Sequence, residues 1–391
     1  MLDSIHVGVT GLLGYQQGLR VIANNTANLN TPGYKSSTLQ FADLFYARSP
    51  AGGRATLDLG HGLETTGTHV NFRQGDLRPT GNDFDLAIDG QGMFVLRDGS
   101  GEARYTRAGQ FDFDSTGMLV HRADGSKVQG WNAQGKLADV SVAGMRVAPG
   151  KATASLQFTG NLSSTLPEHT VTGVKVFDAM GQEHVLALQF TSNAQAPGGW
   201  QVELLDGTTV VGTSQILFVD GRATAATSKL TFSYAPPGRP VQDLALHFGV
   251  DATSFASGTL STLAMTSQDG YAPGNLTGIT FDETGALVAS YTNGQTVKGS
   301  RLALARFPSS DAVRNLGGNL FAAAGGAEWQ VGSAGEGGFG GVKAGMLEGS
   351  NVDLSREFSD LVVMQRGYQA SSQVVSTAND MLQELFGMKR K

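Results

Sequence analysis

The chain has 391 residues, 40% of them hydrophobic, which is enough for two or three domains with ordinary cores. Its formal charge of −6 and its short basic clusters leave no electrostatic footprint for nucleic acid. Cysteine is absent, which removes disulfides, thiolate chemistry and cysteine-held zinc or iron–sulfur centres together.

The first predicted element is a helix. From Ile5 to Thr26 the seam runs Ile5, Val9, Leu12, Gln16, Leu19, Ala23, Thr26, in the alternating steps of four and three that mark a coiled coil. This stretch lacks the basic start and continuous apolar core of a secretory signal, and no run in the chain approaches the roughly 20 apolar residues of a membrane span. The helix should end near Asn28, because Asn24, Asn25, Asn28 and Asn30 are poor helix formers and Thr31-Pro32-Gly33 is a stop followed by a turn.

Residues 34–75 read as an irregular or extended connector, loosest at 49–53. The 54 glycines, roughly double the usual share of about 7%, then fall mainly between short strand-like stretches. In 76–148 these are residues 84–88, 93–96 and 110–113, each followed by a turn. A second set, including 171–177, 185–191, 200–205 and 216–219, occupies 149–271 and suits a β-sandwich or β-barrel. Residues 272–319 resume patterns like those of the first set, so the middle domain reads as an insertion into the first. Residues 320–350 form a second connector, rich in glycine after 332.

The last element is another helix, with a seam of Leu354, Phe358, Leu361, Gln365, Tyr368, Ser372, Val375, Asn379, Leu382 and Phe386. Asn351 and Asp353 are expected as its N-cap and first-turn acid, and Lys389-Arg390-Lys391 complement its negative end. Both seams place Gln, Ser, Thr or Asn at core positions, so neither helix should be stable alone in water. The ends are expected to come together and dock on copies of themselves. The bland alternative is a pair of amphipathic helices packed on their own domain.

The fold class is therefore multidomain and mainly β. Residues 1–33 and 351–391 make a coiled-coil-like inner domain, 34–75 and 320–350 connectors, 76–148 with 272–319 an inner β-domain, and 149–271 an inserted outer β-domain.

Chemistry is sparse. Residues 335–340 match G-x-G-x-x-G by letters, but more glycine follows where a helix would have to open, so a loop is expected. Asp112, Asp114 and Gly117 look like the start of a calcium loop, yet its twelfth position is Ala123, and a β-turn is expected instead. The seven histidines are scattered, and neither H-E-x-x-H nor G-x-S-x-G occurs. Glu183 and His184 are neighbours, but on a strand adjacent residues face opposite sides. No catalytic residue, metal or cofactor is expected.

ANNTANLNTPGY at 23–34 resembles the N-terminal signature of the bacterial flagellar rod and hook proteins, with Thr26 where that family usually has Ile. GMLEGSNVDL at 345–354 and QRGYQA at 365–370 resemble the same family's closing signature. VKVFDAMGQEH at 174–184 and YTNGQT at 291–296 are similar to segments of its hook-type members, which, unlike the shorter rod proteins, carry the extra β-domain. The resemblance implies a non-enzymatic subunit of a self-assembling tube, a short curved universal joint that passes torque from rod to filament. Implied partners are the chain itself as a helical homopolymer, the rod and hook–filament junction proteins, the hook cap and the flagellar type III export apparatus. The implied location is extracellular, on the flagellum, without a cleaved signal. Expected interface residues are Ile5, Val9, Leu12, Leu19, Asn24, Asn25 and Asn28 in the first helix, and Leu354, Phe358, Leu361, Tyr368, Val375 and Leu382 in the second. A distal rod-type subunit and a secreted β-rich adhesin remain as alternatives.

Overall fold

The computed structural model describes residues 2–44, 46–50, 56–325 and 328–389; three positions of the loose 49–53 stretch, and Arg390 and Lys391 of the basic end, lie outside them. The chain divides into two compact units, one of Met1–Ala143, Ile279–Val288 and Lys298–Lys391, the other of Gly144–Gly278 and Ala289–Val297.

The first unit holds both helices, α1 (Leu2–Ala27) and α2 (Leu354–Lys389). α1 stops one residue before Asn28, and Asn28 donates its side-chain amide back to the Asn24 carbonyl at 2.9 Å, one of the carbonyls a helix end leaves unpaired. The connector that follows is more ordered than its composition implies. Ser37–Asp43 pairs antiparallel with Leu63–Val70, and Tyr46–Pro50 with Thr56–Gly60, so the segment is a long two-stranded arm. The arm lies along α1, with the Tyr15 and Phe41 rings 6.0 Å apart.

The β-part of this unit is built from antiparallel neighbours, among them Met93–Arg97, Ala103–Thr106 and Lys127–Trp131. Met93 and Val95 face a core that includes Tyr105, Ala303, Ala305, Phe321 and Trp329. Phe94 and Leu96, on the opposite face, are equally buried, so this strand is covered on both sides and reads as a continuous apolar run rather than an alternating one. Tyr105 stacks on Trp329 at 3.9 Å.

Most of the second unit is a nine-stranded sheet folded around its main core. Its strands alternate inward and outward, as in Lys229–Tyr234, where Leu230, Phe232 and Tyr234 are buried. Ser155–Asn161 runs parallel to Gln242–Thr253, which requires the chain to cross over rather than turn back. The Phe248 ring packs against Phe158 at 5.2 Å and Phe190 at 6.1 Å. All of the expected insertion at 149–271 lies in this unit, which also takes in 144–148, 272–278 and 289–297. The reason is a small second core of Ala148, Ala289 and Tyr291 with Met145 and Leu276, in which the Tyr291 hydroxyl donates to the Met145 carbonyl at 2.9 Å.

One turn device recurs in both units. Asp98, Asp114, Asn132, Asp178 and Asp282 each accept, through one side-chain oxygen, the N–H groups two and four residues on. A glycine with positive φ stands at the third position each time. Burial acts to raise the Asp282 carboxyl, but the Thr284 hydroxyl, Lys298 and the Ala286 amide outweigh it and draw the value down to about 2. The calcium-like letters at 112–117 belong to such a turn, with the Asp114 oxygen held by Thr116 and Met118.

Candidate assembly interface and the joint beneath it

α1 and α2 run antiparallel, and they meet along glycine. A Cβ at Gly8 would stand 2.6 Å from Val375 Cγ2, one at Gly11 2.6 Å from Ser371 Oγ, and one at Gly18 2.9 Å from Met364 Sδ; from the other side, Gly367 lies under the Tyr15 ring. Among the described residues of α1 the buried ones are Gly8, Gly11, Gly14, Gly18, Ile22 and Asn25; Gly14 turns to the arm at Leu63 and Phe41, and the rest form a line in which half-buried Tyr15 fills the step between Gly11 and Gly18. This line repeats in the same three-and-four steps as the expected seam but one residue earlier, about 100° around the helix. The offset has a physical cause, since small residues let two helix axes approach closely and so occupy the contact, while larger side chains are pushed to its flanks. Each glycine also weakens α1 by about 1 kcal/mol relative to alanine, so the helix depends on its partner.

The expected interface residues distribute accordingly. Asn25 is buried in the seam and Val375 borders it, while Ile5, Leu12, Leu19, Asn28, Leu361 and Leu382 are half-buried on its edges. Val9, Asn24, Leu354, Phe358 and Tyr368 face outward, with Phe358 55% and Tyr368 41% exposed. Leu13, Val362, Val363, Leu385 and Phe386 are exposed beside them, with Leu13 at 60% and Phe386 at 67%. Apolar side chains exposed side by side in this way are a general mark of interaction surfaces.

At the foot of the pair lies a polar joint that joins four remote segments. The Asn25 amide donates to Glu357 Oε1 at 3.0 Å and to the Ser37 carbonyl at 2.8 Å, and its oxygen accepts from the Tyr34 hydroxyl at 3.1 Å and from the Ser37 N–H at 3.0 Å. Asn351 does not cap α2. Its side chain is taken by the Ser36 N–H and the Asn71 and Arg73 carbonyls, and Asp353 is the cap, accepting from the Ser355 and Arg356 N–H groups. Below them Glu348, wholly buried, receives Lys35 Nζ at 2.5 Å, Arg107 Nη1 at 3.0 Å and the Gly75 N–H at 2.8 Å. Gly33 allows the close approach, with φ of 71° and no room for a Cβ against the Ala108 N–H.

Burial lowers the pKa of Lys35 and Arg107, and the charge of Glu348 partly restores both. Burial raises the Glu357 carboxyl, an effect the Asn25 amide only partly offsets. A carboxyl raised on folding favours the fold below the ordinary carboxylate range and opposes it above, so at neutral pH the charge on Glu357 works against the joint. Glu357→Gln, which keeps an oxygen facing Asn25, is expected to melt about 1–2 °C above the native chain at pH 7, with the gap closing as pH falls to about 4. Calorimetry across that range checks it, and a gap that widens in acid contradicts the assignment.

The comparisons with known proteins follow the same geography. Family models match in chain order: "Flagella basal body rod protein" over residues 5–35, "Flagellar hook protein FlgE/F/G D1 domain" over 87–171, "Flagellar basal body protein FlaE D2 domain" over 168–331 and "Flagellar basal body rod FlgEFG protein C-terminal" over 343–388. These are the parts of a flagellar rod-and-hook subunit. The flagellar hook protein FlgE of Escherichia coli K12 is 30% identical over 412 residues, spanning 97% of this chain and 98% of its own. That of Treponema pallidum is 29% identical over 470 residues, all of both chains. In three dimensions the Helicobacter pylori hook protein FlgE2 aligns with 69% of this chain and all of its own, at a TM-score of 0.51 and 14% identity, a likeness of fold. The chain belongs to the flagellar hook protein FlgE family. Among the described residues, no helix is long and apolar enough to cross a membrane.

Proposed function

We propose that the chain is a structural, non-catalytic subunit that polymerises into the flagellar hook, the flexible joint that transmits torque from rod to filament. The observation that carries this reading is the apolar surface left open on a helix pair that has already used its glycine seam. In the polymer, residues 1–33 and 351–391 form the inner core, 76–148 with 272–319 the inner β-layer and 149–271 the outer layer. The exposed faces around Val9, Phe358 and Tyr368 meet neighbouring copies. Rod and junction proteins meet the two ends of the tube, and the subunit reaches the cell exterior through the flagellar export apparatus without a cleaved signal. Negative-stain microscopy of the concentrated full chain tests the core of this: tubes or short filaments are expected, and monomers persisting at every concentration would refute it.

A further inference from the structure

Beside the buried Lys35–Glu348–Arg107 cluster the first unit has a cavity of about 530 Å³ that the helix contacts do not use. Phe72, Met93 and Phe307 supply its apolar wall, the two phenylalanine rings 4.5 Å apart, and Arg73, Arg107 and Arg306 supply its charge. None of the described residues lining it is acidic. Glu348 answers only one of the two cations bound to it, so the cluster behind Arg107, the one member that lines the cavity, carries a net positive charge. Arg306 hydrogen-bonds a neutral partner, Gln330 Oε1, at 2.8 Å and stacks over Phe339. Arg73 extends toward solvent.

We infer that this cavity receives a carboxylate side chain, with its apolar stem, from a second copy of the chain; the inference rests on the polymerising role given above. Guanidinium groups suit a carboxylate because their donors match its two oxygens. The apolar wall disfavours a free hydrated anion, which would lose its water against Phe72 and Phe307, but suits a side chain that brings methylene groups with its charge. The chain supplies such groups in excess, with 34 acidic residues against 28 basic.

The test uses the full chain and reads the critical concentration for polymerisation by sedimentation and microscopy. Reversing the charge with Arg73→Glu and Arg306→Glu is expected to raise it about tenfold or more, because like charges would then meet in the contact, while the monomer melting temperature falls by no more than about 3 °C as Arg306 loses Gln330 and Phe339. Arg73→Lys with Arg306→Lys keeps the charge and should shift it by less than about threefold. Glutarate, a carboxylate that carries its own methylene stem, should raise the native critical concentration and leave that of the Glu variant alone. If the native chain forms tubes and the Glu variant does so at the same concentration, the inference is wrong. Saturable glutarate binding to the native monomer with no effect on assembly would also overturn it, by making the cavity a small-anion site. A native chain that forms no tubes would overturn the polymerising role and this inference together.

Discussion

Glu348→Ala is expected to lower the melting temperature of the unit that holds the helices by roughly 8–15 °C, the equivalent of about 3–5 kcal/mol. Glu348 is the shared partner of Lys35 and Arg107, and all three side chains are almost wholly removed from solvent. Deleting the carboxylate strands two buried cations and frees the Gly75 N–H, whereas the alanine restores none of these contacts. The damage should be local, because the core of the second unit shares no residue with this cluster. Two-step melting, with the second unit unmoved, is the expected calorimetric trace. A shift below about 3 °C would mean that water or a neighbouring acid replaces the lost charge.

Phe358→Asp combined with Tyr368→Asp is expected to abolish polymerisation while leaving the subunit folded. Phe358 is 55% and Tyr368 41% exposed on α2, and neither closes on an α1 glycine as Met364, Ser371 and Val375 do, so the free chain loses only part of the packing around each. Helix propensity changes only by tenths of a kcal/mol at each site. In a polymer, however, the same two positions would bury unpaired carboxylates at several kcal/mol each. Circular dichroism and melting should stay close to those of the native chain while sedimentation shows monomer at concentrations where the native chain forms tubes. A large drop in melting temperature instead would place these faces against the chain's own β-structure.

Much of this architecture could be read from residue order, because it depends on local chemistry. Asparagines followed by Pro-Gly end α1, and Asp-x-x-Gly turns mark strand ends from Asp98 to Asp282. Strands such as Met93–Arg97 and Gly199–Asp206 appear within two residues of where short apolar stretches and the turns after them set them. What escaped is long-range and carried by small or charged side chains. A search for apolar heptads passes over Gly8, Gly11 and Gly18, although their spacing is itself heptad-like and continues into Ile22 and Asn25. Lys35, Arg107 and Glu348 look like ordinary surface charges until the fold brings them from three distant segments into one dry site. The arm at 37–70 was hidden because its strands pair with each other and along a helix, so their outward faces keep the polar composition of a loop.

The seam between the termini also sets an order of events. Asn25 meets Glu357 across 332 positions, and Gly8 meets Val375 across still more. Each β-unit closes through contacts that are complete before residue 350 or nearly so, but the helix pair can begin only once α2 itself follows, from Glu357 onward. On the proposed export route, a chain delivered end first would keep its glycine-softened leading segment unzipped in transit, and the second helix would act as the clasp that closes the helix pair.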